Sequence, residues 1–69
     1  MRTFTAIIEK ENDTEWLVAH VPGFPGAHAQ GRTLEEVNAR LVEVLEMLLQ
    51  DGEPVLETEF VGTCSVKVA

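Results

Sequence analysis

The stretch TLEEVNARLVEVLEMLLQDGEP, residues 33–54, decides the fold. Thr33 stands where a helix cap belongs. Glu36 follows three residues later, the spacing of a capping box, in which each side chain satisfies an orphan amide at the helix start. Glu35 and Glu36 also put negative charge at the positive end of the helix dipole. Leu34, Val37, Leu41, Val44, Leu45, Leu48 and Leu49 recur in steps of three and four and predict one apolar stripe. Glu35, Glu36, Asn38, Arg40, Glu43, Glu46 and Gln50 fall largely on the other side. Gly52 ends the helix and Pro54 forbids its return.

Outward from the helix, the pattern changes to period two. Toward the N-terminus, residues 3–9 put Phe4, Ala6 and Ile8 on one face and Thr3, Thr5, Ile7 and Glu9 on the other, which predicts a half-buried strand. The polar run Glu11-Asn12-Asp13-Thr14 is turn-prone. Residues 15–21 read as a second strand, so the two form a hairpin. Pro22-Gly23-Phe24-Pro25-Gly26 breaks that strand, because two prolines and two glycines in five residues cannot continue a ladder. Residues 27–30 are a short third strand closed by Gly31. Beyond the helix, residues 57–69 alternate again. Thr58, Phe60, Gly62, Cys64, Val66 and Val68 make the more apolar face, and a fourth strand is predicted. The expected fold class is α+β: one domain over residues 1–69, with order β-β-β-α-β. Its small, mostly antiparallel sheet carries the helix on one face. The other face, with Ile7 and either Leu17 or Trp16, is left as an association surface.

Sixty-nine residues allow one core, and Cys64 is the lone cysteine, so no intrachain disulfide can staple it. A chain this short buries only about 60% of its unfolded surface. A homodimer or higher homo-oligomer is therefore expected. The hydrophobic share of 45% is that of a globular protein. No apolar run approaches the ~20 residues of a membrane span. Met1-Arg2-Thr3 leads directly into a strand with no signal-peptide core, which makes a cytoplasmic location the expectation.

Twelve acidic residues against five basic ones give a formal net charge of −7. That charge repels phosphate, so direct nucleic-acid binding is not expected, and it would steer a basic partner toward the chain. Acidic surfaces also serve solubility alone. Glu9, Glu11, Asp13 and Glu15 cluster around the first turn. They lack the oxygen spacing and glycine of a calcium loop, so they read as a solvated tip available to a partner, with no metal. Phe24, central in the Pro-Gly loop, is expected at the surface as a binding anchor. Trp16 reads equally as anchor or core. His20 and His28 flank the same loop. A general base or metal pair is the sharper reading, but no ligand spacing or nucleophile motif accompanies them, and structural roles are expected. Cys64, among apolar strand neighbours, is expected as a buried inert thiol. Gly23, Gly26 and Gly31 make no nucleotide fingerprint. No catalytic residues and no cofactor are expected.

The order and spacing of these motifs resemble a known family. A strand, an acidic turn and a strand ending in Val21-Pro22 precede Gly23-Phe24-Pro25-Gly26, Gly31-Arg32-Thr33, Glu35-Glu36 and a leucine-rich helix. This is similar to the HicB-type antitoxin domain of toxin–antitoxin systems, from about residue 4 to residue 49. Gly23 and Ala27 depart from the family's usual aspartate and cysteine, and Val37 from its common alanine. The resemblance implies a truncated ribonuclease H-like sheet without that enzyme's metal-binding carboxylates. It implies a non-enzymatic, antitoxin-like role: occluding the active site of a small basic mRNA-cleaving toxin (HicA-like). Many members add a C-terminal DNA-binding segment, which is expected to be lacking here. The alternative is an orphan scaffold or small-ligand-binding oligomer with no toxin; a minimal hydrolase is the weaker third reading.

Overall fold

A computed structural model describes residues 2–69. Three strands precede one helix: β1 (Ile7–Lys10), β2 (Leu17–His20), β3 (His28–Gly31) and α1 (Leu34–Leu49). The sheet order is β1-β2-β3, antiparallel throughout. The fold is the expected small α+β type, with an open sheet under one helix.

The turns set the register. In the first, the Glu11 amide donates to the Trp16 carbonyl at 2.9 Å, while the Thr14 amide and hydroxyl both donate to the Glu11 carbonyl, at 3.2 and 2.9 Å. Asp13 adopts a left-handed φ of 62°, a conformation short polar side chains tolerate in turns. In the second, the Val21 amide donates to the Ala27 carbonyl at 2.9 Å. Two tight turns between them keep these ends paired, one closed by the Phe24 amide on the Val21 carbonyl, the other by the Ala27 amide on the Phe24 carbonyl.

Alternation along an antiparallel ladder then fixes which backbone groups face which neighbour. Ala27, Ala29 and Gly31 bond toward β2, so His28 and Gln30 turn their backbone groups to the outer edge of β3. The Gln30 carbonyl accordingly accepts from the Arg40 guanidinium at 2.8 Å. On β1, Ile7 and Glu9 bond inward, so the backbone groups of Ile8 and Lys10 lie on the outer edge.

The core lies between sheet and helix. Ala19, Val21, Phe24, Ala27, Val37 and Leu41 are buried, and Phe4, Ala6, Leu17, Ala29, Leu45, Leu48 and Leu49 pack around them. Small alanines on β2 and β3 let α1 approach closely. Gly31 extends that approach, since a Cβ there would sit 3.1 Å from the Val37 amide. The cap forms as expected in one direction, with the Glu36 amide donating to Thr33 Oγ1 at 3.0 Å. The Glu36 carboxylate does not return to the cap; it pairs with Arg40 at 3.1 Å.

Several expectations are corrected. Strand β1 begins at Ile7, so residues 3–6 join no ladder although Phe4 and Ala6 still face the core. Leu34, at the first helical position, is exposed because it lies where the helix begins, before its packed turns. Leu17 belongs to the helix-covered face and not to the open one.

The largest difference is the C-terminal arm. Residues 57–69 pair in no ladder among the described residues, and the alternation there does not become a fourth strand of this sheet. The Glu57 amide donates to the Gly23 carbonyl at 2.7 Å, fixing the start of the arm on the Pro-Gly loop. Gly23 has a φ of 77°, and a Cβ there would run into the backbone of Thr58. Past that anchor the side chains are exposed: Val61 at 92% and Val68 at 88%. Cys64, expected to be buried, is exposed for the same reason.

Candidate protein-binding surface

The helix covers one sheet face and leaves the other bare. The register assigns Ile7, Glu9, Val18, His20, His28 and Gln30 to the bare face, since residues directly opposite one another share a side. Trp16 continues it, with the Arg32 guanidinium 5.1 Å from its ring centroid. A cation over an aromatic ring contributes about 0.5–1 kcal/mol when exposed. Trp16 is half-buried under that contact and is not part of the core between sheet and helix.

The acidic tip stands at one end of this face. Glu9, Glu11, Asp13 and Glu15 are all exposed. The pleat separates them: Glu9 and Glu11 fall on the bare side with Trp16 and Val18, Asp13 sits at the turn and Glu15 alternates to the other side. Among the described residues no three His, Cys, Asp or Glu side chains converge as metal ligands would.

His20 and His28 occupy the opposite end. They are direct partners across β2 and β3, and both are exposed. Their pairing is of the non-hydrogen-bonded kind, in which Cβ atoms stand about 4.5–5.5 Å apart. With Val18 and Gln30 they border a shallow groove of about 430 Å³. Reading the sequence placed both histidines beside one loop without bringing them face to face. The signal was available: five residues between the paired Val21 and Ala27 put position 20 opposite position 28.

Phe24 is corrected. It is 8% exposed, and its ring packs against Phe4 at a centroid distance of 5.6 Å, tilted by 55°. Edge-tilted aromatic pairs of this kind are favourable core contacts. The two tight turns of the Pro-Gly loop fold the ring inward, so the aromatic on the uncovered side is Trp16.

Fold and surface together define a small helix-backed sheet whose uncovered face ends in an acidic tip. The family model described as UPF0150-like matches residues 4–52. The chain belongs to the UPF0150 family. It is 41% identical over 68 residues to a UPF0150 protein of Thermotoga maritima, covering 97% of this chain and 91% of the relative. A UPF0150 protein of Archaeoglobus fulgidus is 37% identical over 65 residues, covering 94% and 93% respectively. No solved structure matches the chain significantly. No helix among the described residues is long and apolar enough to cross a membrane.

Proposed function

We propose that the chain is a HicB-type, antitoxin-like module that binds a small basic ribonuclease and occludes its active site, without catalysis of its own. The observation that carries this reading is the bare sheet face, where Trp16 and Val18 lie beside Glu9 and Glu11 in a chain of net charge −7. A rigid aromatic supplies contact area that is well placed for a hot spot. The surrounding carboxylates steer a cationic partner and set its orientation, acting mainly on the association rate. Asp13 and Glu15 extend the field around the tip. A toxin whose RNA-binding groove is basic presents the complementary surface, and covering that groove blocks RNA entry.

The test is titration of this protein into an RNA-cleavage reaction of a small basic HicA-like ribonuclease from the same genome. Cleavage should stop near one equivalent. Glu9→Lys combined with Glu11→Lys should slow association at least tenfold at low salt, with the loss shrinking as salt rises. Cleavage that persists at excess protein overturns the reading.

The groove between His20 and His28 favours a second reading, a scaffold or small-ligand binder without a toxin. A ligand that raises the melting temperature, with that shift lost in His28→Ala, would support it.

A further inference from the structure

The geometry points to the C-terminal arm as a strand donated to a second copy of this chain, where it lies along the outer edge of β1. The first ground is the arm itself. Residues 59–69 alternate as a half-buried strand does and would span about 36 Å when extended. Yet they join no ladder among the described residues, and Val61, Val66 and Val68 stand in solvent.

The second ground is area. A compact monomer of 7.6 kDa exposes about 4,300 Å². This chain exposes 5772 Å², roughly 1,500 Å² above that expectation. Its radius of gyration is 13.6 Å, against about 11 Å for a compact domain of this length. A standard protein interface takes about 800 Å² from each partner, so the surplus is large enough to bury in a dimer.

The third ground is the receptor. The outer edge of β3 is occupied at the Gln30 carbonyl by Arg40, whereas among the described residues no hydrogen bond caps the outward backbone groups of Ile8 and Lys10 on β1. Ahead of β1, between the segment that leads into it and the helix, runs a largely apolar groove of about 500 Å³ bordered by Phe4, Val42, Leu45 and Leu49, with Arg2 and Glu46 at its rim. A strand added to β1 would set alternate side chains, those of Phe60, Cys64, Val66 and Val68, over that groove and over exposed Ile8. The remaining ones, Glu59, Val61, Thr63, Ser65 and Lys67, would continue the bare face, Val61 beside apolar Ile7. An unpaired edge is a template for such addition, and an exchanged arm satisfies both copies at once. This inference is independent of the toxin reading, which concerns the other face.

The test uses the full chain. Light scattering should give about twice 7.6 kDa. The double variant Val66→Asp, Val68→Asp should halve that mass while keeping the helical circular dichroism. Placement is read from mixed samples: a spin label on Ser65→Cys in one copy without isotope that also carries Cys64→Ser, combined with an isotope-labelled Cys64→Ser copy. Broadening of the Ile8 and Lys10 amides in the labelled copy is the expected result. A monomeric wild type overturns the proposal. So does broadening confined to the labelled copy's own arm, which would mean that arms pair with each other. Broadening of β1 only when label and isotope share one chain also overturns it, because the arm would then fold back on its own sheet.

Discussion

Strands β1 to β3 and the arm of residues 57–69 have the same kind of sequence and opposite fates. Both alternate apolar with polar residues, and both carry β-branched side chains. The first three segments find partners through turns only a few residues long, which fix their register locally. The arm is separated from β1 by the whole of α1 and is held at its start by Gly23 and Glu57. Alternation therefore specifies that a segment wants a ladder; it does not specify where the ladder partner is.

Substitutions on either side of that divide should behave differently. The largest effect belongs to Phe24→Ala, which empties a buried aromatic site and should cost about 3–5 kcal/mol in denaturant unfolding. In a fold this small, that is most of the stability. A loss below 1 kcal/mol would mean that Phe24 is not the core residue described here. Val61→Ser, in the arm, should change monomer stability by under about 0.5 kcal/mol. Gly23→Ala sits at the junction of the two regions. Its left-handed backbone costs an alanine about 1–2 kcal/mol, and the added methyl group meets Thr58. The expected outcome is a modest loss of stability together with faster amide exchange at Glu57, the hydrogen bond that anchors the arm.

Smaller effects sharpen the picture of the folded part. Thr33→Ala removes the accepting hydroxyl from the helix start and should cost about 1 kcal/mol. Arg40→Ala removes an exposed ion pair and the cover on the Gln30 carbonyl. It should cost no more than about 1 kcal/mol. Exchange of the Ala29 and Gly31 amides, which bond toward β2, measures how far β3 has loosened.

Much of this was legible in the sequence. The helix, its Thr33 cap, the first hairpin and the α+β class follow from spacing that is local: a threonine before an apolar stripe, a period of 3.6, a turn between two alternating runs. The features that were not legible depend on what lies across space. Phe24 looked like a surface anchor because a Pro-Gly loop reads as exposed, but two successive tight turns tuck its ring onto Phe4. Cys64 looked buried because its neighbours are apolar, but the burial needs a partner strand this copy does not supply. At the candidate surface the acidic residues were visible, while their division by the pleat, the His20–His28 pair and the Arg32 contact that holds Trp16 required the register. In the proposed surface Trp16 thus takes the part assigned to Phe24, and that surface moves from the loop to the open sheet.

That relocation is the centre of the account, and one measurement tests it directly. Calorimetric titration of Trp16→Ala and Phe4→Leu proteins, each verified as folded, against a small basic ribonuclease of the proposed HicA-like kind should separate surface from core. The account predicts an affinity at least tenfold weaker for Trp16→Ala, about 1.4 kcal/mol or more, and nearly unchanged binding for Phe4→Leu. Equal affinities for Trp16→Ala and the parent protein would contradict it.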